Sequence, residues 1–63
     1  MIKLEFPTDC DAQHGAYYLQ DRGYTVNLMG KALVVDKPDQ ADLVLVMATY
    51  RAFTAELNEG DLV

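Results

Sequence analysis

The stretch Ile2-Lys3-Leu4-Glu5-Phe6-Pro7 constrains this chain more than any other. Apolar and charged residues alternate with the two-residue period of a strand that buries one face and wets the other. Pro7 has no N–H to give to a ladder, so the strand stops there. The period then changes. Thr8 stands three residues before Asp11, the spacing of a capping box with Asp in place of the usual Glu, and Asp9 and Asp11 put negative charge where a helix dipole is positive. Ala12, Ala16 and Leu19 recur at helical spacing, and Gly23 follows as a stop with Tyr24 just beyond. A strand therefore feeds a helix over roughly residues 9 to 22. Gly15 costs that helix about 1 kcal/mol relative to Ala, but with Ala12 and Ala16 it lets the helix lie close on a sheet.

Tyr24-Thr25-Val26-Asn27-Leu28 alternates again, and Ala32-Leu33-Val34-Val35 is continuously apolar. Between them Gly30 supplies the positive φ that a tight type II′ hairpin turn wants. The second of these strands has no polar face: Leu33 and Val35 point one way, Ala32 and Val34 the other. Two helices cannot cover both faces of a small sheet, so the Val34 side is an expected contact surface.

From Asp36 to Asn58 two readings compete. As one long helix, Asp36 and Asp39 form an N-terminal cap pattern, Pro38 sits in the first turn, and Leu43, Met47, Tyr50, Phe53 and Leu57 make a stripe of helical spacing. As a strand, Leu43-Val44-Leu45-Val46-Met47 is β-branched enough to be a buried third hairpin member, with a shorter helix from Thr49. The long helix is the preferred reading. The expected fold is then α+β, a small β-α-β-β-α unit forming an incomplete ferredoxin-like sandwich that lacks its last strand. The alternative is β-α-β-β-β-α with residues 42–48 as a strand. Residues 58–63 read as a loop or flexible tail, with Leu62-Val63 available to pair onto a sheet edge. An incomplete sheet leaves an open edge, and open edges invite another chain.

Sixty-three residues make a single domain, and a chain this short buries only about 60% of its unfolded surface. One cysteine excludes an internal disulfide, and Cys10 with His14 supplies too few ligands for a structural zinc site. Oligomerisation, as a homodimer, or docking onto a partner is the remaining support. Ten acidic against five basic residues give a net charge of −5. This argues against direct binding to nucleic acid or to an anionic membrane surface, and for a protein partner with a basic surface. Met1 leads straight into the alternating strand with no signal-peptide apolar region, and Leu43–Tyr50 is far too short to span a bilayer. The expected location is cytoplasmic.

Residues 2–28, IKLEFPTDCDAQHGAYYLQDRGYTVNL, loosely resemble the opening βαβ of a glutaredoxin. The resemblance implies a redox thiol at Cys10, where a helix N-terminus favours thiolate. Three residues later, however, Gln13 stands where that family's dithiol motif has its second cysteine. The chain after Leu28 turns back as a hairpin without the X-Pro loop that faces the thiol, and Asp9 and Asp11 oppose thiolate formation. An inert, half-buried cysteine is the plainer reading. Cys10 and His14 are spaced to share a helix face, which permits a weak metal clip; a solvated histidine is the commoner outcome. There is no second histidine, phosphate loop or nucleophile elbow. The expectation is a protein that is not an enzyme and needs no cofactor.

Surfaces carry the remaining signal. Tyr17 and Tyr18 are adjacent on the first helix, so at least one must be partly exposed, and tyrosine suits interfaces. Asp36, Asp39 and Asp42 cluster at the second helix start, and Glu56, Glu59 and Asp61 near its end, where no helix dipole explains them. The leading expectation is a small acidic protein-binding module that regulates or inhibits a larger protein, a nucleic-acid-binding one among the options, of the kind phages and mobile elements encode. The alternatives are a thiol or metal carrier using Cys10 and His14, and a homo-oligomeric scaffold subunit.

Overall fold

A computed structural model describes residues 1–56. The chain runs β1 (Ile2–Glu5), α1 (Asp9–Asp21), β2 (Val26–Met29), β3 (Ala32–Val35), α2 (Gln40–Tyr50) and β4 (Phe53–Ala55). The four strands form one antiparallel sheet in the order β2-β3-β1-β4. The α+β class holds, and residues 42–48 are helical. Where the long-helix reading left the sheet without its last strand, β4 supplies it. The resulting β-α-β-β-α-β order follows the ferredoxin-like unit in outline.

The local signals in the first half of the chain act as their chemistry requires. Thr8, in extended conformation, accepts a hydrogen bond at its hydroxyl from the Asp11 N–H at 3.1 Å and opens α1. At the other end Gly23 has φ of 96°. The Gly23 N–H donates to the Gln20 carbonyl at 2.9 Å and the Tyr24 N–H to the Leu19 carbonyl at 3.1 Å, a Schellman closure that satisfies two orphan carbonyls. In the β2–β3 hairpin Met29 pairs with Ala32, leaving Gly30-Lys31 as the turn. Gly30 alone takes positive φ, 62°, as a type II′ turn requires. β2 begins at Val26, so Tyr24 belongs to the connection before the strand.

Cross-strand partners share a face, so the register Ile2↔Val35 and Leu4↔Leu33 turns the alternating residues of β1 and β3 toward the helices. Leu4, Phe6, Ala12, Ala16, Leu19, Leu33, Val35, Val46 and Ala52 form the buried core. At Gly15 the backbone of α1 lies close against it: a Cβ there would lie 2.8 Å from the Phe6 ring. The helix tolerates a glycine because its missing side chain is the space the ring occupies.

The second half departs from the long-helix reading at both ends. α2 starts at Gln40 with Asp39 as N-cap, whose side chain makes no capping bond, so Pro38 and Asp36 precede the helix. It ends at Tyr50 because Arg51 takes the left-handed conformation, with φ of 57°, and the Ala52 N–H closes on the Met47 carbonyl at 3.1 Å. Phe53 then enters β4 and pairs with Glu5. Pairing with β1 fills the sheet edge that β1 would otherwise leave open. The expected stripe is rotated too: Asp42 and Val46 are the buried residues of α2, while Leu43, Met47 and Tyr50 are partly buried beside the core. Among the described residues no helix is long and apolar enough to cross a membrane.

Candidate functional site

α1 carries His14, Tyr17, Tyr18 and Asp21 at positions i, i+3, i+4 and i+7, which a helix gathers onto one face. α2 packs beside it and contributes Tyr50. Together these five residues line an open groove of about 380 Å³. The His14 and Tyr50 rings lie 6.3 Å apart, tilted by 45°, within the range of an edge-to-face contact. Tyr17 is 63% exposed and Tyr18 is half-buried, the division that two adjacent helical tyrosines must make.

Through Tyr18 this groove is tied to a polar knot around Asp42. The Tyr24 hydroxyl donates to one carboxylate oxygen at 2.6 Å and the Tyr18 hydroxyl to the other at 3.1 Å. Arg22 Nε lies 3.3 Å from the same oxygen as Tyr18. Tyr24 also accepts from the Asp39 N–H at 3.1 Å, tying the start of α2 to the connection after α1. The side chain of Asp42 is only 7% exposed, and these three donors are what make its burial tolerable. The hydrogen bond from Tyr24 holds the Asp42 carboxyl below its ordinary pKa, against the opposing effect of burial, with Tyr18 and Arg22 adding to it. The same bond raises the Tyr24 pKa; burial and then the Asp42 bond raise that of Tyr18. The knot fixes the Tyr18 ring in the groove wall and ties up the charge of Arg22 next to it.

A second hollow, of about 350 Å³, lies at one end of the sheet and is lined by Glu5, Phe6, Met29, Lys31, Ala32 and Phe53. Phe53, Glu5, Ala32 and Met29 occupy successive cross-strand positions on the face away from the helices. Phe53 is 55% exposed there.

Of the residues expected at a partner surface, Tyr17, Tyr18, Asp36, Asp39 and Glu56 have the exposure or groove position that role needs. Two do not. Asp42 is turned inward onto Tyr18, Tyr24 and Arg22, so it is a structural anion and not part of an acidic rim. Val34 is 2% exposed, because β3 lies inside the sheet with Lys3 and Asn27 at its flanking positions; among the described residues the large apolar side chain exposed on that face is Phe53. Glu59, Asp61 and the tail 58–63 lie outside the described residues. Cys10 is exposed on the first turn of α1 and not half-buried. No group of three or more His, Cys, Asp or Glu suited to a metal ion exists among the described residues, and the His14 ring has that of Tyr50 as its aromatic neighbour. The sequence reading missed Asp21 and Tyr50. The first was legible in the i, i+3, i+4, i+7 pattern; the second joins only when α2 docks.

No protein-family model, no curated protein and no solved structure matches the chain.

Proposed function

We propose that this chain is a small cytoplasmic protein-binding module, not an enzyme, that regulates or inhibits a larger protein by taking a basic segment of it into the α1–α2 groove. One observation supports this above the others: three tyrosines and a histidine line an open groove whose one lining charge is Asp21, on a chain of net charge −5. Aromatic faces attract guanidinium and ammonium groups, and Asp21 is placed to pair with one. The surrounding negative field would speed the encounter with a basic surface and weaken as salt is added. Asp36 and Asp39 extend the acidic character beyond the groove.

The test uses an acetylated Gly-Arg-Gly-Arg-Gly peptide and its Glu counterpart, titrated into the isotope-labelled protein by NMR. The arginine peptide should shift the signals of His14, Tyr17, Tyr18, Asp21 and Tyr50, and the glutamate peptide should not. An exposed cation–π contact contributes about 0.5–1 kcal/mol, so Tyr17→Ala should weaken binding by about two- to fivefold. Asp21→Asn should flatten the salt dependence. Shifts scattered over the whole surface, or equal for both peptides, would sink the reading.

A further inference from the structure

α2 turns an uncharged face to solvent. Its single charged residue, Asp42, points into the polar knot, while Ala41, Val44, Leu45 and Ala48 are all exposed at the i, i+3, i+4, i+7 spacing of one helical stripe. Val44 is 55% and Leu45 44% exposed. The core uses the opposite side of the helix, around Val46, and this stripe lies outside it. Apolar residues scattered singly on a surface need no explanation, but a complete helical stripe does.

We propose that this stripe is the contact between two copies of the chain, packed through α2 in antiparallel orientation about a two-fold axis between Val44 and Leu45. The inference is separate from the groove reading and uses different residues. Two features of the stripe point to a second copy over another partner. Copies carrying −5 each repel one another, so the contact between them with least repulsion is through a stripe without charge, and α2 provides one. The pattern is also self-matching, as an isologous contact demands. An axis between Val44 and Leu45 sets Ala41 against Ala48 of the second copy at each end, with the larger side chains at the centre.

Charge at the helix ends selects the direction. Asp36, Lys37 and Asp39 precede α2, and Arg51 closes it. An antiparallel pair brings Arg51 of each copy beside Asp36, Lys37 and Asp39 of the other, so each end balances two carboxylates against two cations. A parallel pair would gather the carboxylates at one end and both Arg51 side chains at the other. An eleven-residue helix is only about 16 Å long at 1.5 Å per residue. The contact therefore falls below the standard interface class of roughly 1,200–2,000 Å², and the dimer is weak and reversible.

Sedimentation equilibrium on the intact chain, over concentrations reaching millimolar, should show a monomer–dimer equilibrium. Leu45→Glu should weaken it at least tenfold while leaving the far-ultraviolet circular dichroism unchanged, because residue 45 lies outside the core. Orientation is read by cross-linking in a Cys10→Ser background. Ala41→Cys mixed with Ala48→Cys should give the mixed disulfide dimer on mild oxidation, and Ala41→Cys alone should give little. A chain that stays monomeric throughout, a Leu45→Glu variant that dimerises as the parent does, or efficient self-linking of Ala41→Cys would each overturn the proposal.

Discussion

At the scale of the residue, Asp42 concentrates most of the chemistry of this protein. A carboxylate in a small core is costly unless donors surround it, and three side chains from two different segments converge on this one. Its pH consequence has a definite sign. The folded-state pKa of Asp42 lies below its unfolded value, so the stabilisation is present above about pH 4, the ordinary Asp range, and is lost as pH falls through the folded pKa. Tyr18 and Tyr24 behave oppositely: their folded pKa values are raised, so their contribution is complete below about pH 10 and is lost as pH rises through those values. Thermal melts of the native chain and of Asp42→Asn should therefore differ most between these limits, with the native chain the more stable. The gap should close in acid and again in strong alkali. A gap independent of pH would mean that the carboxylate charge is not what the tyrosines and Arg22 recognise.

At the scale of the element, the contrast between the two helix ends is instructive. α1 ends on Gly23, and α2 ends on Arg51, yet both chains of backbone turn through positive φ. A side-chain-bearing residue in that conformation is strained by roughly 1–2 kcal/mol, which glycine avoids. Arg51→Gly should thus raise stability by about 0.5–1 kcal/mol once the greater freedom of glycine in the unfolded chain is counted. The midpoint of urea denaturation should rise with an unchanged slope, at concentrations where the chain is monomeric; a lower midpoint would show that the Arg51 side chain stabilises the fold more than its backbone strains it. This end is also why the last strand was hidden. Helix stops are read from Gly, Asn or Pro, and "ATYRAFTAEL" holds none of them, so helical spacing runs on unbroken through Phe53.

At the scale of the whole molecule, size and charge dominate. A core of nine buried residues among those described, in a chain of net charge −5, leaves a stability margin that self-repulsion erodes. Added sodium chloride should screen that repulsion and raise the melting temperature by a few degrees, even as it weakens binding of the arginine peptide. The opposite signs separate the two effects, and a melting temperature that falls on the first additions of salt would mean that attractive pairs outweigh the repulsion. The groove and the α2 stripe lie on different faces, so a dimer built through α2 would leave two grooves open.

The elements that sequence alone determined are those whose signals are local. The β1 alternation, the Thr8 cap, the Gly23 stop and the Gly30 turn each depend on residues within a few positions of one another, and each folds as its chemistry dictates. Four of the five groove residues were written the same way, since His14, Tyr17, Tyr18 and Asp21 share a helix face by spacing alone. Tertiary structure decided the rest. Whether Phe53 continued a helix or joined a sheet depended on β1 offering it a free edge. Whether Asp42 faced a partner or the interior depended on Tyr18, Tyr24 and Arg22 arriving beside it. No local pattern encodes either outcome, because both are choices among long-range partners for groups that must not be left unpaired.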